Sequence, residues 1–332
     1  MNKSETIDNL IQLTRNSFDY FVENFGKGFS CYYRDVIRGE KQIRRFIQSI
    51  AYYCDHMQAY RKVIADCGAG YGLKSIIMKL LGAQTVFTLD NKHERSFTAN
   101  KLSDALQMDQ RSFFPLQCSA ENLPMESTSV DCITAFDSIS HIGNPEYFFK
   151  ETYRVLKNDG ILCIEDGANT LDILSFIERK KYWQQREYGP FISYDGIQYV
   201  PYYEKRKKIV IDLIPDASRQ TIQTITEATK GLWGNEIRQA VREYQEKGRV
   251  FVKPEFFCKD PVTGEAMERC FNPFVLAKTI EQFGFRVSLI KPYINPENPL
   301  RRLAVNTALF MYPLSMFIMP KFALIARKIH VQ

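Results

Sequence analysis

No two cysteines in this sequence stand at C-x-x-C spacing, although the 332-residue chain holds eight of them. A zinc site needs clustered thiolate or imidazole ligands, so no metal is expected. Cys67, Cys118, Cys132 and Cys163 fall in or beside runs that read as core strands, where free cysteine acts as a small apolar residue. Met1 to Asn9 is polar and charged and lacks the apolar stretch of a secretory leader. Together with scattered cysteines this makes a reducing cytoplasm the expected compartment. A block of one charge sign is missing too. The formal charge of +6 is spread widely, which hints only at an anionic substrate or surface. Two basic clusters, Arg179 to Lys181 and Lys205 to Lys208, read as solvated faces rather than a phosphate site. The low apolar content of a disordered chain is absent as well: 45% hydrophobic and 13% aromatic residues supply a packed core. The length suits one large domain with an insertion, or two modest domains.

What is present is concentrated between residues 63 and 90. The apolar run Val63-Ile64-Ala65 ends in Asp66 and leads through Cys67 into Gly68, Ala69, Gly70, Tyr71 and Gly72. Eighteen residues past Gly72, the run Thr85 to Leu89 ends in Asp90. This is the pattern of a strand, a glycine turn, a helix and a second strand, with a carboxylate at each strand end. Glycines let the backbone turn sharply and approach a ligand where a Cβ would collide. An acid at the end of the second strand stands where a ribose hydroxyl pair is held.

The spacing separates two nucleotide cofactors. A dinucleotide fingerprint begun at Gly68 and Gly70 needs a third glycine at position 73, which is Leu73. The acid at 66 also suits a cationic ligand better than a pyrophosphate. At this point the sequence resembles the class I S-adenosylmethionine-dependent methyltransferases, whose first motif has the form G-x-G-x-G behind an acid. Ser119-Ala120-Glu121-Asn122-Leu123-Pro124 resembles that family's D-A-E-x-L-P element, with serine in place of aspartate. Ser129 to Asp137 resembles its fourth strand, and Glu151 to Gly160 its E-x-x-R-V-L-K-P-G-G segment. The resemblance covers residues 60 to 168 well and the last fifty more loosely. Several ordered motifs that agree are stronger than one glycine triplet.

The resemblance implies an α/β fold: a doubly wound, mostly parallel seven-stranded sheet with an antiparallel last strand. It implies S-adenosylmethionine as cofactor, with S-adenosylhomocysteine as product. Asp66, Gly68, Ala69, Gly70 and Gly72 would hold the methionine portion. Asp90 would bind the ribose hydroxyls with Asn91 nearby, and Ser119, Ala120 and Glu121 would border the adenine. Asp137 joins this cofactor set and opens the loop 137–141 after the fourth strand, which should face the methyl group, since open α/β sheets bind ligands beyond their strand C-termini. His141 in that loop is the candidate general base, because histidine titrates near neutrality. A structural histidine beside the next helix is the competing reading. Glu165 and Asp166 end the fifth strand on the same edge, either to orient a substrate or as solvated turn residues. The loop lacks the N/D-P-P-Y sequence of nucleic-acid amino methyltransferases, and no nucleic-acid-binding motif compensates. The expected acceptor is therefore a small molecule: lipid-linked, a glycan or a secondary metabolite. The alternatives are a non-catalytic cofactor-binding or scaffold protein of the same fold, and a nicotinamide-dependent oxidoreductase.

Outside the core, residues 1–55 read as a helical cap, with Ile43, Phe46, Ile47, Ile50 and Ala51 as an amphipathic stripe. Residues 56–168 read as the cofactor-binding core. Asn144-Pro145 signals a helix start, and Asn158 to Gly160 turns that helix into the fifth strand. The region 169–270 breaks the strand–helix pattern and is crowded with tyrosines, including Tyr188, Tyr194, Tyr199, Tyr202 and Tyr203. A connection this long is expected to be an inserted lid or subdomain over the pocket. Residues 271–332 complete the core, with a helix after Asn272-Pro273, a sixth strand from Phe285 to Lys291 and a seventh from Phe322 to Ala326. Between them, Leu303 to Pro320 carries no charge and is flanked by Arg301, Arg302 and Lys321. Its length is marginal for a membrane span, and its prolines and polar residues oppose one. The readings left are an apolar flap at the substrate mouth, peripheral lipid contact through 303–320, and plain core packing.

Overall fold

The computed structural model describes residues 3–192, 196–250, 258–267 and 269–329. The chain divides into two units. One comprises Met1–Ile139, Asn144–Leu171 and Asn272–Gln332, the other Ser140–Gly143 and Asp172–Phe271.

The first unit is built on seven strands: β1 (Val63–Cys67), β2 (Thr85–Asp90), β3 (Phe113–Gln117), β4 (Val130–Phe136), β5 (Leu156–Asp166), β6 (Phe285–Ile290) and β7 (Phe322–Lys328). Their order across the sheet is β6-β7-β5-β4-β1-β2-β3. β1 pairs in parallel with β2 and β4, β2 with β3, and β4 with β5. A sheet covered on both faces needs strands that are apolar on both sides, and Ile64, Ala65, Ile133, Ala135, Leu162 and Ile164 are all solvent-free. The parallel arrangement brings the ends of β1, β2, β4 and β5 to one edge, where Cys67, Asp90, Phe136 and Asp166 are the last residues of their strands and Asp66 is the last but one of β1.

The antiparallel seventh strand forms as expected, and it runs two residues further than the pattern indicates, to Lys328. It sits between two partners. Val287 faces Ala326 on one side, and Leu324 faces Ile164 on the other. Insertion there satisfies the backbone donors and acceptors that β5 and β6 would otherwise leave bare.

Local signals set the helix starts. Asn144 Oδ1 accepts from the amides of Glu146 and Tyr147, with Pro145 in the first turn. Asn272 and Pro273 repeat the device before helix Pro273–Glu281. A third instance, Asn298 and Pro299, opens a helix Pro299–Phe310 in the stretch that reads from sequence as a flap. The flap is thus helical in its first half, and the Asn-Pro pair was its available signal. Four N-terminal helices, Lys3–Leu13, Phe18–Tyr32, Arg34–Ile37 and Glu40–Met57, pack their apolar stripes into the main core with Ile43, Ile50 and Met57 buried. Among the described residues no helix is long and apolar enough to cross a membrane, and no group of three or more His, Cys, Asp or Glu side chains is placed to hold a metal ion.

The second unit contains helices Ile173–Tyr188, Tyr202–Leu213, Arg219–Ala228 and Gly234–Lys247. The last of these carries Ile237, Ala240, Val241 and Tyr244 at helical spacing. Val210, Ile214, Ile225, Ile237 and Val241 form its apolar cluster. Arg206 lies in this interior at 1% exposure, paired with buried Glu187 and donating through Nε to the Thr226 carbonyl at 3.2 Å. This corrects the reading of Lys205 to Lys208 as a wholly solvated face: Arg206 points inward, and Lys205 pairs with Asp260 at 2.7 Å. The tyrosines also divide. Tyr202 is buried and accepts from Arg186 at 2.8 Å, and the Arg186 guanidinium lies 4.2 Å from the Phe191 ring centre and 4.7 Å from that of Tyr199. Tyr188 is exposed, and Tyr194 lies outside the described residues.

Candidate active site

The glycine turn after β1 is anchored by its first two amides. Gly68 and Ala69 N–H both donate to the Leu89 carbonyl of β2, at 2.8 and 2.9 Å. Gly72 N–H closes the turn on the Ala69 carbonyl at 3.2 Å and leads into helix Leu73–Leu80. Gly68 and Gly70 have different jobs. Both have positive φ, +70° and +60°. A Cβ on Gly68 would stand 2.5 Å from the Ser138 Cβ, so glycine there lets the loop after β4 close against β1. A Cβ on Gly70 would meet nothing within 4 Å. That backbone faces open space, the cradle a ligand needs.

Asp66 is buried and both of its oxygens are engaged. Ser75 donates to Oδ2 at 2.6 Å and Thr134 to Oδ1 at 2.7 Å. Burial raises its pKa, and those two hydrogen bonds and nearby Lys74 oppose the rise. Its carboxylate therefore ties β1, β4 and the helix after the turn together. Asp90 is 4% exposed at the end of β2. Its Oδ2 accepts from Gly70 N–H at 2.9 Å and its Oδ1 from Lys92 N–H at 3.0 Å. The Arg95 guanidinium pairs with it at 3.2 Å. Asp90 thus holds the open glycine by its amide. Arg95, from helix His93–Ala105, also stands over the Tyr71 ring at 5.8 Å.

The segment after β3 follows beside Asp90. Cys118 N–H donates to the Asp90 carbonyl at 2.9 Å, and Ser119 Oγ accepts from Glu121 N–H at 3.2 Å. Ser119 is exposed and Ala120 half-buried. The Glu121 carboxylate accepts from Asn144 N–H at 2.8 Å, which links this turn to the next helix cap. Asn91 is exposed, and its carbonyl accepts from Gln117 Nε2 at 3.2 Å.

Beyond the ends of β4 and β5 lies a four-charge cluster. Asp137 has φ +51° and its N–H donates to the Glu165 carbonyl at 2.8 Å. Lys74 Nζ donates to the Phe136 carbonyl at 2.7 Å and pairs with Asp137 at 3.3 Å. Lys321 reaches Glu165 at 2.5 Å and Asp137 at 3.7 Å. Glu165 is buried, so it is not the solvated turn residue of one sequence reading. Burial first, and the Asp137 charge second, push its carboxyl up to about 7 from 4.5, against the pull of Lys321 and Lys74. The folded state therefore keeps a proton that the unfolded chain releases between those two values. Stability from this group is present below about pH 4.5 and is lost as pH rises through 7, at no more than about 1.4 kcal/mol per pH unit. Glu165→Gln should flatten that stretch of the curve. Denaturant titrations at pH 4.5, 6 and 7.5 that show the same wild-type-to-variant difference throughout would refute the assignment.

His141 closes the short 3-10 turn Ile139–His141 and is exposed. Tyr33, Tyr71, Lys74, Arg95 and Lys321 are site residues that sequence reasoning missed. Tyr33 is 3% exposed, and its hydroxyl has no hydrogen-bond partner. Burial raises its pKa, with further upward contributions from the charges of Asp66 and Asp137. An unsatisfied buried hydroxyl close to those carboxylates is the polar atom a bound ligand would satisfy. The Tyr71 ring packs edge-on to Phe29 at 6.0 Å, and its hydroxyl lies where a Cβ on Gly28 would fall, so Gly28 seats the N-terminal helices on the glycine turn. Tyr71 occupies an x of G-x-G-x-G, a position the motif leaves free, and carried no signal.

Residues 65–164 match the family model described as a methyltransferase domain. With the glycine cradle, the acid after β2 and the strand order just described, this core belongs to the class I S-adenosylmethionine-dependent methyltransferase family, whose cofactor is S-adenosylmethionine. The chain is 29% identical over 133 residues to a sarcosine/dimethylglycine N-methyltransferase of Aphanothece halophytica. That similarity takes in 37% of this chain and 45% of the relative, so less than half of the curated protein is spanned. Solved structures of similar fold include S-adenosylmethionine-dependent methyltransferases of Methanosarcina mazei and Mesorhizobium loti. The first is 16% identical with a TM-score of 0.44, covering 84% of this chain and 97% of that one. The second is 12% identical with a TM-score of 0.43, covering 83% and 96%.

Proposed function

We propose that the protein transfers a methyl group from S-adenosylmethionine to a small-molecule acceptor. The observation that carries the reading is the open cradle at Gly70, held by Asp90 at a sheet edge where four more charged side chains converge. Bound there, S-adenosylmethionine supplies an activated methyl on a cationic sulfur. The chain's task is then to bind, orient and exclude water. In this reading the turn from Gly68 through Ala69 and Gly70 to Gly72, with Asp66 behind it, receives the methionine portion. Asp90 and Asn91 take the ribose, and Ser119, Ala120 and Glu121 border the adenine. Asp137 lies at the methyl end. Arg95 must yield Asp90 to the ribose hydroxyls, and Tyr33 gains its missing partner. His141 is the proposed proton acceptor for the attacking nucleophile. Residues 169–270 are proposed to select the acceptor.

The relative's name makes a small amine the first acceptor to try. The test is calorimetry with S-adenosylmethionine and with nicotinamide dinucleotides, followed by radiolabelled methyl transfer to sarcosine, dimethylglycine and panels of lipids, glycans and metabolites. Binding of S-adenosylmethionine with transfer to one panel member is expected. Tight binding of a nicotinamide cofactor instead, or none of S-adenosylmethionine, would overturn the reading. Binding without transfer to any acceptor would favour the non-catalytic alternative.

A further inference from the structure

The segment that follows β6 exposes more apolar surface than its role in the fold requires. Helix Pro299–Phe310 has no buried residue. Leu300, Leu303 and Phe310 share one face by helical spacing, and Leu300 is 79% and Phe310 85% exposed. Leu314, Phe317 and Ile318 continue the exposed series. Isolated exposed apolar residues need no explanation, but a contiguous series marks an interaction site. The mount is firm. Asn298 caps the helix, and buried Asn169 donates to the carbonyls of Met316 and Met319 at 2.7 and 2.8 Å.

Charge says what this face meets. From Asn298 to Ile329 the sequence has no aspartate or glutamate. Arg301 and Arg302 are exposed in the helix's first turn. Glu297, immediately before it, is neutralised by Arg38, Lys41 and Arg45 at 3.4, 3.9 and 3.0 Å. Asp35 beside Arg38 is the other acid in this group, so five cations stand against two carboxylates at one end of the apolar face. A basic rim on an exposed apolar helix is the arrangement that lies in a bilayer interface without crossing it.

We propose that residues 299–320, with the basic rim of Arg38, Lys41, Arg301 and Arg302, dock on an anionic lipid surface. Leu300, Leu303, Phe310 and Phe317 enter the headgroup–acyl boundary, and the arginines meet the phosphates. This goes beyond methyl transfer and does not depend on it.

Co-sedimentation with vesicles of phosphatidylcholine alone, and of phosphatidylcholine with phosphatidylglycerol, tests it. Binding to the mixed vesicles that weakens with salt is expected. Phe310→Glu combined with Phe317→Glu should reduce it at least tenfold, and so should Arg301→Glu combined with Arg302→Glu. Both variants should keep the wild-type melting temperature and its shift by S-adenosylmethionine. If the phenylalanine pair fails to fold, Phe310→Ser alone serves, with a severalfold loss expected. Absence of binding, equal binding to neutral vesicles, or variants that bind as wild type would overturn the proposal. So would sedimentation equilibrium showing a dimer that Phe310→Glu dissociates, since a second copy would then cover the face.

Discussion

Replacing Asp90 with alanine is expected to weaken S-adenosylmethionine binding about ten- to a hundredfold, as calorimetry would measure it. The carboxylate is 4% exposed, so it acts in a site with little water to compete. Charge-assisted hydrogen bonds of this kind contribute roughly 1.5–3 kcal/mol, and about 1.4 kcal/mol corresponds to a factor of ten. The same side chain accepts from Gly70 and Lys92 amides and pairs with Arg95. Alanine therefore also frees the turn that the ligand must find preorganised. Asp90→Asn separates the two effects, because a neutral amide oxygen still accepts from one of the loop amides but has no charge to offer. The asparagine variant should fall between wild type and alanine. Unchanged affinity in Asp90→Ala would remove this residue from the site.

A second large effect is expected in the other unit. Glu187→Ala should destabilise the second unit by about 3–5 kcal/mol, because it strands a guanidinium where water cannot reach. Arg206 is 1% and Glu187 2% exposed, and Arg206 Nη1 lies 3.2 Å from Glu187 Oε2 in addition to their closer contact. Replacing both partners, Arg206→Met with Glu187→Leu, should restore most of the loss, since a buried pair exchanged for apolar side chains of similar volume is often nearly neutral. Denaturant unfolding and limited proteolysis within 172–271 would report both. A cost below about 1 kcal/mol for Glu187→Ala would show the pair to be solvated, as surface pairs are.

The parts legible in the sequence share one property: their information is short-range. Alternating glycines after an acid, an apolar run ending in Asp90 and Asn-Pro before a helix each lie within one turn or one strand, whereas Asn158 to Gly160, expected as the turn into β5, lies inside that strand where its register with β4 shifts between Leu156 and Ile161. A signal of that length survives without knowledge of the fold, because backbone conformation and capping are decided by near neighbours. So the seven-stranded, mostly parallel sheet, its antiparallel last strand and the place of the glycine turn follow from the sequence together with the family resemblance. The inserted region was less legible. Helices Ile173–Tyr188 and Tyr202–Leu213 carry charged and aromatic residues on most sides, so the apolar period that announces a helix is weak. The buried Arg206 is part of the reason: a charged residue occupies a core position that a pattern-based reading gives to solvent.

Tertiary structure alone decided the partners. Lys321 meets Glu165 across 156 positions because β7 inserts beside β5, and Lys74 meets Phe136 and Asp137 because β1 and β4 are neighbours. Tyr33 reaches the vicinity of Asp66 only when the N-terminal helices seat on Tyr71 through Gly28. Which charges a carboxylate faces, and how far burial shifts its proton affinity, depend on distance in space and on excluded water. Neither quantity is written in the spacing of residues along the chain. The sequence, with the family it resembles, determined the glycine turn and the sheet that presents it. The surroundings that would tune a reaction there were decided when distant strands came together.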